Sequence, residues 1–214
     1  MMDKLDVIKK MKEEGIVAVV RAESKEKGEK LIDAIVNGGI NFIEITMTVP
    51  GAVDIIKELS EKYKGTDVVI GAGTVLDSET ARMVILAGAQ FVVSPCFDED
   101  MVRLCNRYRV AVMPGVMTVK EAVAGLEMGV DILKVFPGNA FGPSIISAFR
   151  GPLPQAQFMP TGGVDIDNIE QWIKAGAVAV GTGGSLTAGA KKGDYELVTK
   201  TAKEFVDAVK KARA

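Results

Sequence analysis

A repeated alternation of two kinds of segment constrains this chain more than any other feature. Short apolar runs occupy residues 16–20, 41–46, 68–71, 90–94, 110–113, 132–136, 157–160 and 177–180. Several are rich in β-branched residues and apolar on both faces, the pattern of strands buried in a parallel sheet. Between them lie amphipathic segments of helical period at 25–36, 53–63, 79–87, 99–108, 120–128 and 166–175. Ser24, Ser78, Asp98, Thr118 and Asp165 precede or open these segments as N-cap types. Gly38, Gly65, Gly88, Gly129 and Gly176 follow them, where glycine accepts the left-handed C-cap.

Strand starts recur about every 20 to 27 residues, the spacing of βα units. Leucine-rich repeats share that period, but their leucine signature is absent. Eight such units within 214 residues predict an α/β fold. Its form is a single (β/α)8 TIM barrel rather than an open doubly wound sheet. No linker or composition break divides the chain, so residues 1–214 are expected to form one domain. Residues 3–14 predict an extra N-terminal helix, and residues 195–212 a closing one.

Composition then narrows the chemistry. The chain has no histidine, so neither a Ser-His-Asp triad nor a His-ligated zinc is possible. Its two cysteines, Cys96 and Cys105, are not in a CxxC arrangement and read as small packing residues. Acid-base work near neutral pH falls to a carboxylate, lysine, tyrosine, cysteine or water. A net charge of −2 without a long basic run argues against a nucleic-acid partner. No apolar stretch reaches transmembrane length, and the first residues lack the apolar region of a signal peptide. A cytoplasmic protein without a membrane partner is the expectation.

Barrel chemistry sits at the C-terminal ends of the strands. Two charges interrupt apolar runs there. Glu44 shares a face with Phe42 and Thr46, opposite Ile43 and Ile45, while Lys134 shares a face with Ile132 and Phe136, opposite Leu133 and Val135. The all-apolar faces should meet the helices, so both charges should point inward near the barrel mouth. A desolvated lysine there is a nucleophile for carbonyls, and a carboxylate beside it can carry protons. The alternative is an ion pair that only holds the barrel together. After the seventh and eighth runs, Gly162, Gly163, Gly183 and Gly184 let backbone N–H groups approach a phosphate. Ser185 is a candidate cap for a short helix and a hydroxyl donor to phosphate; the alternative is a pair of tight turns. Arg21 and Thr74 are candidates for a carboxylate, against a surface salt bridge for Arg21 and an N-cap role for Thr74.

Six ordered segments carry a resemblance over nearly the whole chain. They are Ile43-Glu44-Ile45-Thr46, Gly71-Ala72-Gly73-Thr74-Val75, Ser94-Pro95, Met113-Pro114-Gly115-Val116, Leu133-Lys134-Val135-Phe136-Pro137 and Pro160-Thr161-Gly162-Gly163-Val164. The chain resembles the bacterial 2-keto-3-deoxy-6-phosphogluconate aldolases, a family that includes 4-hydroxy-2-oxoglutarate and 2-keto-3-deoxy-6-phosphogalactonate aldolases. That resemblance implies Lys134 as a Schiff-base lysine and Glu44 as general acid and base. It implies Arg21, Thr48, Thr74, Pro95, Phe136 and Thr161 around the keto acid. It places Gly162, Gly163, Gly184 and Ser185 near phosphate. It also implies a homotrimer acting on a small 2-keto acid in the Entner–Doudoroff route. No cofactor or metal is implied, since the iminium does what a Lewis acid would do. One departure stands out: some members carry arginine four residues after the catalytic glutamate, where this chain has Thr48, and Arg21 would then take the carboxylate. The alternatives are a phosphate-binding barrel isomerase or synthase, and a non-catalytic assembly protein on an aldolase scaffold.

Overall fold

The computed structural model describes residues 2–214. The strands are β1 (Ile16–Val20), β2 (Phe42–Thr46), β3 (Val69–Gly73), β4 (Phe91–Val93), β5 (Ala111–Met113), β6 (Gly115–Val116), β7 (Leu133–Val135), β8 (Phe158–Pro160) and β9 (Val180–Thr182). The helices are α1 (Lys4–Glu14), α2 (Lys25–Asn37), α3 (Ala52–Lys62), α4 (Ser78–Leu86), α5 (Glu99–Arg107), α6 (Val119–Glu127), α7 (Ser144–Arg150), α8 (Ile169–Lys174) and α9 (Tyr195–Arg213).

All described strand pairings are parallel. Six strands form one sheet in the order β5-β4-β3-β2-β1-β9, and three form a second in the order β6-β7-β8. The fifth predicted strand matches β5, and beyond Pro114, which has no N–H to give a ladder, the short strand β6 was not predicted. The Pro114 carbonyl still accepts a 3.0 Å hydrogen bond from Lys134 N–H. Near β8 and β9, Val178 N–H donates to the Phe158 carbonyl at 3.0 Å, and Thr161 bridges to Gly181. The parallel sheet is therefore curled, with its strands buried on both faces.

Two hydrophobic clusters follow from this curl. Ile43, Ile45, Leu133 and Val135 join helix residues such as Ile32 and Ile56 on the outer face. Phe42, Val69, Phe91, Ile132 and Met159 fill the inner face, together with Val7, Ile8 and Met11 of α1. The strand faces expected from alternation are the ones observed. The extra N-terminal helix closes one end of the inner cluster.

Several local expectations change. Ser24, Asp98 and Thr118 cap their helices, but Asp77 rather than Ser78 caps α4, and Asn168 rather than Asp165 stands at the cap of α8. Gly38 keeps a right-handed φ of −81°, and Gly39 takes the left-handed turn at +94°. Helix α7 escaped the sequence reading because it is seven residues long. A period is hard to read over so few residues. Cys105 packs in the core as expected, but Cys96 is exposed.

Met11 is fully buried against the inner face, whereas Leu5 on the same helix is 61% exposed. Met11→Ala should lower the unfolding free energy by about 2–5 kcal/mol. Leu5→Ala should change it by less than about 0.5 kcal/mol. Urea unfolding of both variants checks the difference.

Candidate active site

Strands β2 and β7 bring the two inward charges together. Glu44 is 1% exposed and Lys134 4% exposed. Lys134 Nζ lies 3.8 Å from Glu44 Oε1, beyond hydrogen-bond range. The ammonium also lies 5.1 Å from the centroid of the Phe136 ring. Neither Glu44 carboxylate oxygen has a hydrogen-bond partner. Burial of a carboxylate without such partners is costly. A structural ion pair would be expected to satisfy those oxygens, whereas a proton carrier needs one free to meet substrate or water.

A cleft of about 300 Å³ is lined by Phe136, whose ring faces the Lys134 ammonium, by Arg21, Thr161, Gly162 and Gly163 and, from the other loop, by Gly183, Gly184 and Ser185. Gly162 and Gly163 have φ of +93° and +72°, the left-handed region that favours glycine. Their loop is tied down at both ends: Gly138 N–H donates to the Thr161 carbonyl at 2.8 Å, and Asn168 Nδ2 donates to the Gly163 carbonyl at 2.8 Å. Two hydroxyl oxygens here, Thr161 Oγ1 and Ser185 Oγ, are buried and unpartnered. A second cleft of about 360 Å³ shares Arg21, Gly183 and Gly184 with the first and adds Thr48, Lys191 and Tyr195. The Thr48 hydroxyl is 2.7 Å from that of Thr46.

The structure thus gathers Arg21 and Phe136 with both glycine loops, and Thr48 lines the second cleft with Arg21. Glu44 and Lys134 point inward and are buried, and they line neither cleft. Thr74 and Pro95, partly buried at the ends of β3 and β4, are also absent from the cleft walls. Thr74 is not an N-cap; it has φ of +56°, a costly conformation for a β-branched residue. Ser185 does not cap a helix either. Thr187 precedes the short 3-10 helix Ala188–Lys192, and no side chain caps it. Arg21 takes part in no salt bridge among the described residues. Of the residues that line the second cleft, Tyr195 reads in the sequence as the start of the closing helix and Lys191 lies just before it; their position after the last strand was the available signal.

The family model described as KDPG and KHG aldolase matches residues 7–201. The chain belongs to this family. As a member it is an aldolase, a carbon–carbon lyase, and the isomerase alternative is not favoured. The KHG/KDPG aldolase of Escherichia coli (strain K12) is 32% identical over 199 residues, covering 91% of this chain and 92% of the relative. The structure of a KDPG aldolase from Legionella pneumophila, with pyruvate captured at low pH as a covalent carbinolamine intermediate, is similar at TM-score 0.84. Its identity is 28%, covering 91% of this chain and 95% of that one. A cube-shaped cage designed by fusing symmetric oligomeric domains matches at TM-score 0.86 and 32% identity, covering 93% of this chain and 73% of that one.

The aldolase also offers a contrast between its thiols. Burial pushes the Cys105 thiol up to about 12, while Cys96 is exposed two residues after the buried Ser94. A thiol that high stays protonated and unreactive near pH 8. A disulfide reagent at pH 8 should therefore label one cysteine in the folded protein and both in denaturant. Rapid labelling of both in the native state would contradict the burial of Cys105.

Proposed function

We propose that this aldolase cleaves 2-keto-3-deoxy-6-phosphogluconate to pyruvate and glyceraldehyde 3-phosphate, and 4-hydroxy-2-oxoglutarate to pyruvate and glyoxylate. Lys134 forms the Schiff base and Glu44 moves the protons. The observation that carries this reading is the buried pair at 3.8 Å, with both carboxylate oxygens unpartnered. The carbinolamine captured in the Legionella relative supports covalent chemistry.

Lys134 Nζ attacks the C2 carbonyl to give a carbinolamine, which loses water to become an iminium. Glu44, through a water molecule, takes the proton of the C4 hydroxyl. The C3–C4 electron pair then moves into the iminium as an enamine, and C4 leaves as the aldehyde. Glu44 returns the proton to C3, and water hydrolyses the new iminium to pyruvate and free lysine. The enamine step needs no metal or cofactor, because the iminium is the electron sink.

Arg21, which lines the second cleft with Thr48, takes the substrate carboxylate in place of the arginine absent at position 48. Phe136, Thr74, Thr161 and Pro95 surround the pyruvate portion. The backbone at Gly162, Gly163, Gly183 and Gly184, with the Ser185 hydroxyl, holds the phosphate. The two curled sheets make one closed (β/α)8 barrel in a single domain, supported by the Pro114 and Thr161 contacts at their borders. The protein acts in the cytoplasm as a homotrimer. Exposed Met83 and Leu86 on α4, and Val119 and Val123 on α6, are apolar surface suited to burial between subunits. A monomer mass in sedimentation equilibrium at micromolar concentration would refute the trimer.

Pyruvate with borohydride should attach covalently at Lys134, read by mass spectrometry of the digest. Glu44→Gln should retain trapping yet lose about 10²–10⁴ in turnover. Label on another lysine, or wild-type turnover in Glu44→Gln, would refute these roles.

The phosphate site is best probed at Gly184. A side chain added at Gly163 would strike Asn139 Cβ at 2.6 Å in a left-handed residue, whereas one at Gly184 meets nothing within 4 Å and can protrude into the cleft. Gly184→Val should lower kcat/KM for the 6-phosphate substrate far more than for 4-hydroxy-2-oxoglutarate. Equal losses would reduce the loops to structural turns.

A further inference from the structure

Strand β3 presents Val69, Gly71 and Gly73 on alternate positions facing inward, and only Val69 has a side chain to fill space there. The other two positions are occupied by neighbours. A Cβ at Gly71 would lie 2.4 Å from Phe91 Cε1. At Gly73 it would coincide with the Glu44 side chain, 2.5 Å from Cδ and Cγ and closer still to Oε1. Glu44 pairs with Gly71 in register, two residues before Gly73. Its side chain therefore leans along β3 toward the C-terminal end of the strand. Gly73 is not among the residues with positive φ, so its backbone conformation is open to any amino acid. The demand for glycine is one of space alone. The next residue, Thr74, is the strained one at +56°, which fixes where β3 ends.

We infer that Gly73 is a positioning residue for the aldol cleavage: its missing side chain is the slot that holds the Glu44 carboxylate at its working distance from Lys134. This rests on the reading of Glu44 as the proton-moving group. A methyl group at position 73 forces the carboxylate to move by about 1 Å or more. Displacements of that size can cost about 10²-fold in rate. The three atoms nearest the added Cβ all belong to Glu44, so Lys134 should keep its capacity to form the imine.

The test is a set of variants. Gly73→Ala should lower kcat by about 10- to 100-fold with little change in KM, and should still be trapped by pyruvate and borohydride at Lys134. Glu44→Asp withdraws the carboxylate by about one C–C bond, ~1.5 Å, which makes room for the new methyl. Gly73→Ala with Glu44→Asp should then lose less than the product of the two single losses. A merely structural glycine would not give that relief. If Gly73→Ala fails to fold, Gly73→Ala with Glu44→Ala should recover the fold, since the clashing side chain is gone. Wild-type kcat in Gly73→Ala, strictly multiplicative losses, or failure of that second double variant to fold would each overturn the inference. Wild-type activity in Glu44→Gln would instead overturn the role of Glu44 itself.

Discussion

Two opposite charges 3.8 Å apart, almost wholly out of water, are the interaction on which the rest of this structure turns. Such a pair gains little over well-packed hydrocarbon, and losing either partner strands the other in a poor solvent. The surrounding inner face is built to keep both. Phe42 and Ile132 sit one step below them on the same strand faces, and the aromatic pair Phe42–Phe91, with centroids 5.7 Å apart, fills the space beneath. The apolar layer fixes the directions in which the amine and the carboxylate can point. It also leaves the carboxylate oxygens without protein partners, so reactivity and instability have the same origin.

Much of this was legible in the sequence because β-strand alternation is a strict rule. Once β2 and β7 were recognised, the sides taken by Glu44 and Lys134 followed, and the two core clusters divide along those lines. The glycines at 162 and 163 were legible for a related reason: tight βα turns need left-handed residues, and both occupy that region. The cap types at Ser24, Asp98 and Thr118 also held, since each depends on a hydrogen bond made within its own first turn.

What could not be read depends on three-dimensional neighbours. Partnering is one example: alternation gives a direction for Glu44 but not that both its carboxylate oxygens lack a hydrogen-bond partner. Ser185 is another, because its sequence context suits a cap while its hydroxyl in fact lies buried without a partner. The short strand after Pro114 is a third, because it exists only through its pairing with β7. Position 73 shows the limit most clearly. Two glycines in a Gly-Ala-Gly run look alike on the page, yet one yields to an aromatic ring and the other to a carboxylate.

Helix α1 has a kinetic consequence. Its residues Val7, Ile8 and Met11 seal the inner face at one end, and the described clefts open beside the glycine loops at the other. Under the proposed chemistry, substrate reaches Lys134 from the end that carries the glycine loops. When the C3–C4 bond breaks, the fragment carrying C4 is free while pyruvate is still bonded to Lys134. Under the proposed chemistry, the aldehyde departs first and the keto acid second. The same chemistry runs the reverse reaction in a fixed order, with the keto acid loaded before its acceptor.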